Sequence, residues 1–149
     1  MFGWLTSLFR RSGSTQRAGS PAIPASADPE LREIFINELD DIVKAVQTAF
    51  AAWREDWANP AHCRAVVRGF HTLKGAAPVV GATLLAELGL AAEQTTKRAG
   101  RKRNPDMNQI AAIEAAVALL PQWAHAARNN LPIPEATRSV IATLKRATG

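Results

Sequence analysis

Residues 59–81 read NPAHCRAVVRGFHTLKGAAPVVG and decide the fold predicted for this 149-residue chain. The Asn59-Pro60 pair predicts a helix start, because an asparagine side chain caps the first turn and proline fits the first helical position. Large apolar residues then recur at spacings of three and four: Val66, Phe70, Leu73 and Ala77. Gly81 is expected to end this helix, because glycine is common just after the last helical residue. The stretch therefore predicts a helix from about residue 60 towards 80 with one buried face.

A longer helix is predicted before it, from about residue 29 to 53. The Asp28-Pro29 pair marks its start in the same way. Its apolar residues form one continuous stripe at helical spacing: Leu31, Phe35, Leu39, Ile42, Val46, Phe50 and Trp53. Most of its acidic residues fall off that stripe, so one side of this helix is expected to be buried and the other solvated.

Two further helices complete the predicted core. The third runs from about residue 83 to 98, and the fourth begins at Pro105 and is expected to be kinked or broken at Pro121. Strand-forming residues are scarce and tyrosine is absent. Four helices with short connections and one apolar face each predict an all-α fold, an antiparallel four-helix bundle over residues 28–130.

The two ends of the chain carry weaker patterns. Residues 1–27 are predicted to be a flexible N-terminal extension, because Ser, Gly, Ala and Pro dominate residues 12–27 and offer little apolar surface to bury. Within it, residues 2–11 have apolar residues near helical spacing followed by two arginines, which suggests a short amphipathic helix for weak peripheral membrane or partner docking. A disordered end is the alternative. Residues 131–149 are expected to form a short helix or tail.

Cysteine usage and hydropathy exclude several classes of protein. Cys63 is the single cysteine, so an internal disulfide is impossible, and no Cys/His spacing matches a structural zinc site. Apolar runs are interrupted well before the roughly 20 residues needed to span a bilayer, and no signal peptide is visible. These observations predict a cytoplasmic protein.

The formal net charge of +5 and the pI of about 10.1 come from the flanks of the chain. Residues 28–99 hold eight Lys and Arg against ten Asp and Glu, whereas residues 97–103 alone contain five cations. This basic loop is interpreted first as a solvated connection, with attraction of an acidic protein face or of anionic lipid as alternatives. It contains no interleaved aromatic residues and no DNA-binding motif accompanies it, so nucleic acid is not expected as a partner.

The helical wheel of residues 60–80 places His71 on the solvent side, together with Lys74 and Gly75. A neutral imidazole nitrogen is a competent nucleophile, and a lysine one turn away can attract and orient a phosphoryl group. The glycine leaves room for another protein's active site to close over the histidine. His62 and His125 have no such neighbours and are expected to be structural.

Glu93 is the candidate fourth member of this site. On the third predicted helix it lies on the flank that also carries Gly89 and Leu90. If that flank leans towards His71, the carboxylate can accept a hydrogen bond from one imidazole nitrogen and leave the other free to attack. A solvated surface position is the alternative for this residue.

Residues 70–77, FHTLKGAA, resemble the signature of histidine phosphotransfer (HPt) domains, in which His-x-x-Lys-Gly marks the phosphorylated histidine. Residues 87–93, ELGLAAE, are similar to the following helix in the phosphotransfer domains of chemotaxis-type and pilus-motility histidine kinases. The opening Asp-Pro-Glu-Leu of residues 28–31 and the long acidic helix after it are similar too. The resemblance covers roughly residues 28–125.

The resemblance implies a phosphoryl carrier without catalytic activity or cofactor of its own. It would be phosphorylated on a ring nitrogen of His71, with receiver domains of response regulators and a histidine kinase as partners, and the magnesium ion would belong to the receiver. Two residues depart from the pattern. Leu90 stands where chemotaxis kinases often have a second histidine, and Pro78 falls where the helix usually continues. The alternative function is therefore a non-phosphorylated HPt-like adaptor that binds a receiver or chemosensory component.

Overall fold

The computed structural model describes residues 16–17 and 19–148, and in this part of the chain the secondary structure is helical apart from one isolated β-bridge. Five α-helices follow one another, with a short 3₁₀ helix at Ala77–Val80 between the second and third. Their bounds are α1 Pro29–Glu55, α2 Pro60–Ala76, α3 Thr83–Ala99, α4 Met107–Arg128 and α5 Thr137–Thr148.

Helices α1 to α4 form the predicted bundle. Helix α2 packs against α1 on one side and α3 on the other, and α4 closes the arrangement by packing against both α1 and α3. The stripe residues predicted for α1 are buried from Phe35 to Trp53, although Leu31 at its start is exposed. Trp53 and Trp123 are the largest fully buried side chains of the core. The prediction of an all-α bundle is confirmed.

The predicted caps of α1 and α2 are present, whereas the start of α4 differs from the prediction. The Asp28 side chain accepts hydrogen bonds from two backbone N–H groups of the first turn, and Asn59 accepts one from Ala61. Helix α4 begins two residues later than predicted, because Asp106 caps it by accepting the N–H of Asn108 at 2.7 Å. Aspartate is as good an N-cap as asparagine, so the pattern alone did not distinguish the two starts.

Of the kink or break predicted at Pro121, the break is wrong, because α4 continues through the proline to Arg128. Leu120 and Trp123 are both fully buried on either side of the proline. The free energy gained by burying these large side chains offsets the cost of the backbone hydrogen bond that proline cannot donate. Within the described residues, α4 is the one helix long and apolar enough to cross a membrane, and 56% of its most apolar window is buried in the bundle, as in the core helix of a globular protein.

The C-terminal segment is more than a tail. Helix α5 packs against α3 and α4, and it buries Thr137, Ile141 and Leu144. The Trp123 indole N–H donates to Thr137 Oγ1 at 3.1 Å, which joins α4 to the first turn of α5. The bundle therefore includes a fifth helix, which lies beyond the predicted end of the bundle at residue 130.

The prediction of a flexible tether over residues 12–27 needs a correction for residues 20–27. Ala22 and Ile23 are buried, at 0% and 2% exposure. The Ala22 N–H donates to Leu131 O at 3.0 Å, and the Ile133 N–H donates to Ser20 O at 2.8 Å. The buried side chains of Ala22 and Ile23 and the pairing with residues 131–133 order this stretch. Residues 1–15, including the amphipathic segment predicted at 2–11, lie outside the described residues.

Candidate functional site

His71 lies in the middle of α2 with its side chain 64% exposed, opposite the buried Phe70 and Leu73. The α-helix ends at Ala76, and Pro78 belongs to the 3₁₀ helix that follows. Gly81 ends that short helix with a φ of +76°, a conformation that favours glycine. Pro78, which departs from the HPt pattern, thus changes the helix type only after the site, and His71 remains in regular α-helix.

Glu93 of α3 lies beneath the imidazole and is buried, with 4% of its side chain exposed. Its Oε2 is 2.8 Å from His71 Nδ1. A carboxylate has only acceptor sites, so Nδ1 carries the proton and donates this hydrogen bond. The lone pair of the neutral ring is then on Nε2, which has no hydrogen-bond partner among the described residues.

Two lysines share the same carboxylate. Lys74 Nζ donates to Glu93 Oε1 at 2.8 Å, and Lys97 Nζ lies 3.5 Å from Oε2. Burial by itself raises the pKa of Glu93, but the hydrogen bonds from Lys74 and His71 and the two lysine charges outweigh it, so the pKa lies below its usual value. Glu93 is therefore an anion at neutral pH, although it is buried.

Gly89 explains why Glu93 is within reach of α2. A Cβ built on Gly89 would lie 3.1 Å from the Lys74 backbone nitrogen and 3.2 Å from the Phe70 carbonyl oxygen. The absence of a side chain lets the backbones of α2 and α3 approach closely at this level. Glu93 follows one turn later on the same flank of α3, which brings its carboxylate to His71.

Three of the four residues predicted for the site contact one another, and the fourth stands apart. His71, Lys74 and Glu93 are joined by hydrogen bonds, whereas Gly75 is exposed and a Cβ there would meet nothing within 4 Å. Lys97 was predicted only as part of the basic loop. Its position four residues after Glu93, with the acid on the N-terminal side, was the sequence signal for a pair.

No group of three or more His, Cys, Asp or Glu side chains arranged to hold a metal ion occurs within residues 16–17 and 19–148. His62 is partly buried, and its Nε2 lies 3.2 Å from the Asn59 side-chain nitrogen at the start of α2. His125 is exposed near the end of α4 and contacts Asn129. Within the part of the chain that the structure describes, neither histidine forms an ion pair with an acidic side chain, which distinguishes both from His71.

A family model described as the Hpt domain matches residues 30–128. The chain belongs to the Hpt domain family. The matched residues run from the start of α1 to the end of α4 and include the whole site around His71. Comparison with curated proteins and with solved structures found no match.

Membership of the Hpt family gives a function of the phosphotransfer type in two-component signalling. Hpt domains are phosphocarrier modules rather than catalysts, and they interact with receiver domains and histidine kinases in phosphorelays. Helix α5 and the packed segment of residues 20–27 lie outside the matched region.

The two glycines near the Hpt site are expected to respond in opposite ways to alanine. Gly75→Ala places a methyl group in open space on a helix, and we expect the melting temperature to rise by about 1–4 °C. Gly89→Ala forces a methyl group against the backbone of α2, and we expect a fall of about 2–10 °C. Thermal unfolding followed by circular dichroism measures both, and equal shifts would contradict the packing described for Gly89.

Proposed function

We propose that this Hpt domain is a phosphorelay carrier that accepts a phosphoryl group on Nε2 of His71 from a receiver domain and donates it to another. The observation that supports the proposal is the hydrogen bond between Nδ1 of an exposed imidazole and the buried Glu93 carboxylate. That bond directs the lone pair of the ring outwards, where a partner protein has access to it.

The transfer step needs no proton movement at the attacking atom. The Nε2 lone pair forms the N–P bond while the P–O bond to the receiver's phosphorylated carboxylate breaks, and the carboxylate leaves with the electron pair. The proton on Nδ1 stays on the ring. Phosphorylation places positive charge on the imidazole, and the Glu93 anion 2.8 Å from Nδ1 stabilises it.

Lys74 has a role both before and after transfer in this proposal. In the free protein its ammonium group is held by Glu93 Oε1, one helical turn from His71. An arriving phosphoryl group offers stronger negative charge on the exposed side of the same turn, and the partly exposed lysine can turn towards it. Lys97 remains beside Glu93 and keeps the carboxylate paired.

The domain supplies a positioned nucleophile and charge, and the partner supplies the rest of the chemistry. Phosphoryl transfer depends largely on alignment and on neutralisation of the phosphoryl charge, for which the receiver brings its magnesium ion. Gly75 leaves the space above α2 open for that partner. The protein is therefore proposed to be a carrier and not an enzyme that turns over by itself.

The experiment that tests this function is transfer from a panel of receiver domains phosphorylated by a low-molecular-weight donor in the presence of magnesium. We expect acid-labile, alkali-stable label on this chain with at least one receiver, and its loss when the magnesium is chelated. No label from any receiver, together with binding to one of them, would contradict the carrier function and identify a non-phosphorylated adaptor instead.

A further inference from the structure

A groove of about 600 Å³ runs along the contact between α2 and α3, with His71 and Glu93 among its lining residues. Its walls carry four cationic side chains, all on exposed residues, and we call it the cationic groove. These cations are Arg64 and Arg68 of α2, Lys97 of α3 and Arg101 of the loop that follows.

The charge of the cationic groove is largely unneutralised. Glu93 is the single acidic residue that lines it, and this carboxylate is already paired with Lys74 and Lys97. Arg64, Arg68 and Arg101 form no ion pair within the described part of the chain. On the opposite side of α2, the groove against α1 is lined by the acids Glu38 and Asp41 and by Arg68, which lines both grooves, so the cations confined to the α3 side are Arg64, Lys97 and Arg101. The surface around His71 is thus polarised, with its free positive charge towards α3.

We propose that the cationic groove docks an acidic face of the receiver domain that exchanges phosphate with His71. This inference rests on the proposed function and adds the chemistry and the side of approach of the partner. A receiver site that holds magnesium must present carboxylates, because Mg²⁺ is bound through carboxylate oxygens and phosphate. A partner with those carboxylates over His71 is attracted by a positive surface that begins at the same histidine.

The lining of the groove favours a protein over the other anionic partners. Among the described residues no aromatic side chain lines it, so bases of a nucleic acid would find nothing there to stack on. Its shape is concave and its lining includes the apolar side chains of Pro60 and Val67, which suit a protruding element of a folded domain better than a flat lipid surface. Since its cations are exposed, their main effect is expected on the association rate.

The test measures how charge reversal changes the transfer rate from a phosphorylated receiver at low and high salt. The double variant that combines Arg64→Glu and Arg101→Glu should have a second-order rate constant of transfer about 10- to 100-fold lower than wild type at about 20 mM salt. At about 500 mM salt the same rate constant should fall by less than about threefold, because salt screens the charges. The single-turnover rate at saturating receiver should stay within about twofold, because in the described part of the chain neither arginine forms a hydrogen bond or an ion pair with His71 or Glu93. Lys44→Glu, an exposed cation of α1 outside the groove, is the control and should change the rate less than about twofold.

A second probe separates this inference from the proposed function. A deca-glutamate peptide, titrated into ¹⁵N-labelled protein at low salt, should shift the amide signals around Arg64, Lys97 and Arg101 and should not shift them in the double variant. If no receiver transfers label but the peptide still maps to the groove, the carrier function fails and the acidic docking surface stands. The inference would be overturned if the double variant and Lys44→Glu transferred label at equal rates. It would also be overturned if the groove cations bound phosphatidylserine vesicles but bound neither receiver nor peptide.

Discussion

His71→Gln is expected to abolish phosphoryl transfer to this chain and to leave the fold intact. A glutamine amide nitrogen has no available lone pair, so no N–P bond can form there. The side chain is 64% exposed, and its one hydrogen bond within the described residues is to Glu93. Loss of that bond costs about 1 kcal/mol, which corresponds to roughly 2–4 °C in melting temperature for a chain of this size.

His125→Gln is the matched control for this substitution. His125 is also an exposed helical histidine, and its contacts are with Asn129 rather than with an acid. We expect wild-type transfer and nearly wild-type stability for this variant. Acid-labile label retained by the His71→Gln variant, or lost in the His125→Gln variant, would show that the phosphoryl group is carried elsewhere.

Glu93→Gln is expected to slow transfer at saturating receiver by about 10- to 100-fold. The glutamine amide is neutral and can rotate to present either its oxygen or its NH₂ group to the ring, so it no longer fixes the proton on Nδ1. The ring can then adopt the tautomer in which Nε2 is protonated and cannot attack. Rapid-quench measurement of the transfer rate at saturating receiver separates this effect from docking, and an unchanged rate would contradict the role given to Glu93.

The same variant should also change how stability depends on acid. The pKa of Glu93 is lower in the folded protein than in the unfolded chain, so its contribution to stability is fully present above the unfolded value of about 4.3. It is lost as the pH falls through the lowered pKa of the folded state. Denaturant unfolding of wild type and Glu93→Gln should therefore give a free-energy difference that begins to shrink as the pH falls below the unfolded value of about 4.3 and disappears below the lowered pKa of the folded state, and a difference that grows on acidification would contradict this linkage.

Much of the site was predictable because it depends on helical periodicity. Once Phe70 and Leu73 are assigned to the core, the 100° turn per residue leaves His71 on the solvent side. The burial of Glu93 was harder to predict, because an acid on a helix is usually solvated. The signal for it was Gly89, whose missing side chain allows α3 to approach α2, and the lysines that keep the buried carboxylate ionised.

The parts that sequence reasoning missed depend on contacts between distant segments. Pro121 was expected to interrupt α4, but the burial of Leu120 and Trp123 on both sides holds the helix together. Residues 20–27 have too little apolar surface to fold alone, and they are ordered by backbone hydrogen bonds with residues 131–133. No local pattern reports such pairing, because the two partners are more than 100 residues apart in the sequence.

We propose that Nε2 of His71 carries the phosphoryl group because Glu93 holds the proton on Nδ1. The most direct test is a ¹H–¹⁵N–³¹P correlation spectrum of the protein phosphorylated by a receiver, with ¹⁵N in the histidine rings. We expect coupling between phosphorus and Nε2 of His71, with the proton retained on Nδ1. Coupling to Nδ1, or to a ring nitrogen of His62 or His125, would contradict the account.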